Sequence, residues 1–140
     1  MRNNRIPKKV KRSKKIPVKA ILSDEPLSHD GEYPVFSFKF CSDNHCLLSE
    51  WDGEEIAELI RTFKKMESLT WTGVFKHGGL RYKYIDNYSK PLPLMVSKDE
   101  TIGEIRVSKQ SRIFGFRNRN VFHIIWFDNK HEICPETRRA

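Results

Sequence analysis

The chain has 140 residues, 38% of them hydrophobic and 11% aromatic, which suits one globular domain and excludes a wholly disordered chain. No run approaches the ~18 apolar residues of a membrane span. The formal charge of +8 is unevenly placed: residues 1–20 carry nine Lys/Arg and no Asp/Glu, leaving 17 basic against 18 acidic residues in the remainder. The basicity belongs to an N-terminal stretch, and the rest of the chain is nearly neutral.

That stretch, MRNNRIPKKVKRSKKIPVKA, lacks the apolar segment of a secretory signal. Pro7 and Pro17 oppose one continuous helix, and like charges at this density repel, so residues 1–20 read as a disordered basic arm. Lys8, Lys9, Lys11 and Arg12 can neutralise phosphates non-specifically, with affinity falling as salt rises. The same run has the form of a nuclear import signal. An arm of this kind fits RNA, DNA, an acidic protein surface or solvent alone.

Residues 21–33 are turn-rich and read as a linker, with a single domain over 34–135. Residues 34–40 alternate, with Phe36, Phe38 and Phe40 on one side, as in a half-buried strand. The clearest helix spans 52–68. Ile56, Leu59, Ile60, Phe63 and Met66 form its apolar stripe, and Asp52 with Glu55 makes a capping box. Thr70 caps a short turn through Val74, and residues 80–85 suggest a strand. Residues 86–101, with Pro91 and Pro93, read as a loop. Three strand-like runs follow at 104–108, 111–117 and 121–127, and Asn118-Arg119-Asn120 reads as a three-residue hairpin loop. Residues 131–134 suggest a last short strand. The order predicts an α+β fold: a small, mostly antiparallel sheet with one main amphipathic helix on one face.

Three cysteines, an odd count without a secretory signal, indicate free thiols in a reducing, cytoplasmic setting. Cys41, His45, Cys46, His131 and Cys134 contain the ligand types of a zinc site. No pair has C-x-x-C spacing, and Cys41 follows a strand-like run, so buried thiols are the expectation, with no metal or other cofactor. No P-loop, G-x-G-x-x-G, G-x-S-x-G or H-E-x-x-H motif is present.

The hairpin carries the candidate chemistry. Pairing Arg117 with Val121 sets Gly115 opposite His123 and Ile113 opposite Ile125. Arg117 and His123 then share one face, with open floor at Gly115, while Phe114, Phe116, Phe122, Ile124 and Trp126 cover the helix. Arg106, Lys109, Arg112 and Arg119 lie close in sequence. Arginines bind phosphate bidentately, and a histidine near neutral pKa can move protons at a 2′-OH or a leaving oxygen. Such a patch suits RNA cleavage without metal. The same residues also fit the solvated face of an ordinary strand.

Residues 103–133, GEIRVSKQSRIFGFRNRNVFHIIWFDNKHEI, resemble the RelE/ParE toxin superfamily of bacterial toxin–antitoxin systems. The resemblance rests on Ile105-Arg106-Val107, Arg112-Ile113-Phe114, Val121 through Phe127 and Lys130-His131, with the preceding helix. It implies ribosome-dependent mRNA cleavage held off by an antitoxin. Arg106 and Arg112 would bind phosphate, His123 or His131 would be the acid/base, and Lys109 would assist. The chain departs from the family in its single strong helix, its basic arm and its Pro-containing loop.

Two functional readings follow. One is a small RNA-acting endoribonuclease toxin whose catalytic residues come from His123, Arg112, Arg117 and His131. The other is a non-enzymatic nucleic-acid- or ribosome-binding accessory protein of a phage or mobile element. In that reading Arg106, Lys109, Arg119 and the arm hold the polyanion, and no membrane is involved. A protein-binding module with an acidic partner is a third class.

Overall fold

A computed structural model describes residues 28–135; the basic arm, most of the proposed linker and the last five residues lie outside the described residues. The elements are β1 (Val35–Ser37), a 3-10 turn (Leu48–Glu50), α1 (Gly53–Glu67), α2 (Trp71–Lys76), β2 (Lys83–Ile85), β3 (Ile102–Arg106), β4 (Arg112–Asn118) and β5 (Val121–Asp128). They form an α+β fold around a five-stranded sheet in the order β1-β5-β4-β3-β2. Only β1 pairs in parallel, with β5; the other pairs are antiparallel. No described helix is long and apolar enough to cross a membrane.

Local chemistry sets α1 as expected. The Asp52 side chain accepts from the Glu55 amide at 2.8 Å, and the Glu55 carboxylate accepts from the Asp52 amide at 2.9 Å. Two orphan donors of the first turn are thereby satisfied. Thr70 caps α2, which runs two residues beyond the expected end. The α1 stripe is narrower than its periodicity implied. Leu59 and Met66 are buried and Phe63 packs on Phe36, but Ile56 and Ile60 remain exposed.

Both faces of the sheet are buried. On one, α1 and α2 cover Ile105, Ile113, Phe122, Ile124 and Phe127 through Leu59, Met66, Trp71 and Val74. Each such buried side chain contributes roughly 1.5–3 kcal/mol. On the other, Ile102, Phe114, Phe116, Ile125 and Trp126 pack under irregular chain: Phe40, Cys46, Tyr88, Leu92, Val96 and Ile133. The expected single aromatic face is therefore corrected. Phe122 and Ile124 meet the helices, while Phe114, Phe116 and Trp126 point away from them.

The first strand is shorter than residues 34–40, because the chain turns at Lys39–Phe40. Phe36 and Phe40 consequently enter different cores, and Phe38 is exposed. Residues 131–134 form no strand. The buried Asp128 carboxylate accepts from the amides of Lys130, Glu132 and Ile133, and His131 adopts a positive φ of 61° within that turn. Residues 29–33 are tied down: Asp30 and Glu32 carbonyls accept from the amides of Thr72 and Trp71.

The hairpin register is corrected by one residue. Arg117 pairs with Phe122 and Phe116 with His123, closing a two-residue turn in which Arg119 takes φ 63°. Farther along, Gly115 pairs with Ile124 and Phe114 with Trp126, leaving Ile125 as the extra residue of a bulge. The Ile125 carbonyl accepts from Ser42. Gly115 is not open floor: a Cβ there would collide with the His123 carbonyl oxygen.

Candidate functional site

A one-residue change of register turns each side chain to the opposite face. Arg117 lies on the helix face and His123 on the other, so the structure does not bring them together. Arg117 is held on every side. Its guanidinium stacks over Trp71 (4.6 Å) and Phe75 (5.5 Å), pairs with Asp30 at 2.7 Å, and donates from Nε to the Arg119 carbonyl at 2.6 Å. His123 lies between Phe116 (4.9 Å) and Phe40 (5.1 Å). Its Nδ1 is buried without a hydrogen-bond partner among the described residues. Burial holds the imidazole below its ordinary pKa; nearby Lys39 lowers it further and Glu100 opposes this.

Arg112 occupies the other end of β4. Five residues at the rise of a strand separate it from Arg117 by roughly 17 Å. Its Nε pairs with the Glu104 carboxylate at 3.0 Å, and both side chains are largely buried, at 12% and 7% exposure. Its Nη1 donates to the carbonyls of Ser108, Lys109 and Ser111. This guanidinium organises the β3–β4 connection. Arg106 donates to Ser108 in the same connection, and Lys109 is exposed there. His131 belongs to the turn after β5. The four residues read as catalytic are thus divided between the two ends of the hairpin.

Cys41 and Cys46 are free thiols. Burial, with Asp43 close by, pushes the Cys41 thiol up to about 11; burial, with Asp128 and Glu132 close by, pushes Cys46 up to about 12. Both stay protonated at neutral pH and make poor nucleophiles or metal ligands. Among the described residues no group of three or more His, Cys, Asp or Glu is gathered to hold a metal.

Two surface features were missed in the sequence. The first is a groove of about 600 Å³ beside α1, lined by Arg61, Thr62, Lys64, Lys65, Glu58 and Val107. Arg61, Lys64 and Lys65 are exposed and make none of the ion pairs among the described residues. Val107 comes from the connection that carries Arg106 and Lys109. The i, i+3, i+4 spacing of the three cations was the available signal; they serve the helix dipole as well. The second is a cleft of about 410 Å³ at the hairpin tip, where Arg117 and Arg119 meet His29, Tyr84, Asp99 and Glu100.

No family model, curated protein or solved structure matches the chain.

Proposed function

We propose that this protein binds nucleic acid through its phosphates and performs no chemistry on it. The observation that carries this reading is the contrast among its cations. Arg112 and Arg117 are consumed by internal partners, whereas Arg61, Lys64 and Lys65 line one groove and make none of the ion pairs among the described residues. The arm adds nine cations without a single acidic residue. Unpaired cations on one face can each release counterions on meeting phosphate, which pairs already made inside the fold cannot do. The endoribonuclease reading has less support, because it needs an arginine beside His123 and the register separates Arg117 from it.

The test is a salt titration of binding to single-stranded RNA and to duplex DNA. Full-length protein should bind with affinity that falls steeply between 50 and 200 mM salt, and removal of residues 1–20 should flatten that dependence. Salt-insensitive binding, or none, would overturn the proposal. RNA cleavage by the purified protein, lost in His123→Ala, would restore the toxin reading.

A further inference from the structure

The cleft at the hairpin tip has a composition that phosphate binding does not explain. Three carboxylates, Asp30, Asp99 and Glu100, face it beside Arg117 and Arg119. A site for phosphate alone would not gather acids. Asp30 is already engaged by Arg117. The Ser97 turn presents the other two: the Asp99 amide donates to the Ser97 hydroxyl oxygen and the Glu100 amide to the Ser97 carbonyl. Asp99 and Glu100 therefore remain as acceptors without an ion-pair partner among the described residues.

The cleft also holds an aromatic surface. Tyr84, on edge strand β2, is 61% exposed, and its ring is fixed edge-on against Tyr82 at 5.6 Å. Arg119 stands exposed on the turn, and Arg117 forms a rigid wall because it is clamped by Trp71, Phe75 and Asp30. An exposed ring beside hydrogen-bond donors and acceptors is the arrangement that receives an unstacked base.

We propose that this cleft binds a guanine base, with Tyr84 stacking on the ring, Asp99 or Glu100 accepting from it and Arg119 donating to it. Guanine alone among the four bases presents two adjacent donors, N1–H and the 2-amino group, opposite the acceptors O6 and N7. A carboxylate takes the first pair and a guanidinium the second. Adenine and cytosine each offer one amino donor beside an unprotonated ring nitrogen, which a carboxylate repels. Uracil offers a single ring N–H. The volume of about 410 Å³ falls at the small end of ligand sites and suits one nucleotide. The base comes either from a free nucleotide or from a strand, and in the second case the proposal rests on the nucleic-acid reading above.

The experiment uses the full chain and two probe sets. The first is 5′-GMP, AMP, CMP and UMP, titrated by calorimetry at 150 mM salt. The second is a uridine decamer with or without one central guanosine. GMP should bind at least tenfold more tightly than the other three nucleotides. Tyr84→Ala should weaken it about tenfold, the scale of one lost stacking contact. Glu100→Gln combined with Asp99→Asn should erase the preference for guanine while the circular dichroism spectrum stays unchanged. A gain for the guanosine-containing decamer places the base in a strand; GMP selectivity without that gain assigns the cleft to a free nucleotide. Four nucleotides binding within twofold of one another, or unaltered GMP binding in Tyr84→Ala, would overturn the inference. All-uridine binding reports the phosphate contacts separately, so its failure is distinguishable from failure of the cleft.

Discussion

The hairpin and the outer side of α1 use the same residue types for opposite ends. On β4, Arg112 is held against Glu104 and three carbonyls, and Arg117 is sandwiched by Trp71, Phe75 and Asp30. On α1, Arg61, Lys64 and Lys65 stand in solvent along a groove. A basic residue contributes to a surface field only where its charge is not already answered nearby. Arg112 and Arg117 of the hairpin are thus structural, whereas α1 gathers three exposed cations along one groove.

That division can be broken first at the bulge. Gly115→Ala drives a methyl group into the His123 carbonyl oxygen, a backbone atom that cannot give way. A loss of roughly 4 kcal/mol is expected by urea denaturation, at the large end for one substitution. Arg112→Ala comes next. Among the described residues it leaves Glu104, at 7% exposure, with only Lys83 at 3.9 Å as an ion-pair partner, and should cost about 3 kcal/mol. If Arg112 instead served RNA, the same change would lower affinity and leave the unfolding midpoint in place.

The pH dependence of stability sharpens the picture on the loop-covered face. His123 is held below its ordinary pKa of 6.5, so below that pH the unfolded chain takes up a proton that the folded protein resists. Stability should fall as pH drops from 6.5 toward the lower folded value, and His123→Phe should flatten that part of the profile in thermal melts. The smallest expected effect is at the start of α1. Asp52→Ala removes half of the capping box and should cost about 1 kcal/mol, with RNA binding unchanged because the groove cations lie in the later turns.

Elements whose signal is local were legible in the sequence. The Asp52–Glu55 capping box, the Thr70 cap and the α+β order all stand in the structure. The hairpin was legible as a hairpin but not in register, because the turn has two residues and Ile125 is an unpaired insertion. Neither property follows from alternation. The run Ile124-Ile125-Trp126-Phe127 did carry the missing signal: near-continuous apolar character marks a strand covered on both faces. Its second cover, residues 86–101 and the Asp128-anchored turn, has no period to read. The candidate sites were hidden for a related reason. Tyr84, Asp99 and Glu100 are brought to Arg119 by sheet pairing and a loop, and Arg61, Lys64 and Lys65 look in sequence like ordinary dipole-matching cations.

The most direct measurement is RNA affinity against salt for the full chain carrying Arg61→Gln, Lys64→Gln and Lys65→Gln, with the unfolding midpoint measured in parallel. Three lost phosphate contacts should lower the log–log salt slope by about 2 for a single strand while leaving stability near wild type. An unchanged slope and affinity in a folded triple variant would show that the α1 groove does not touch the polyanion, and would contradict the account of α1 as a phosphate-binding face.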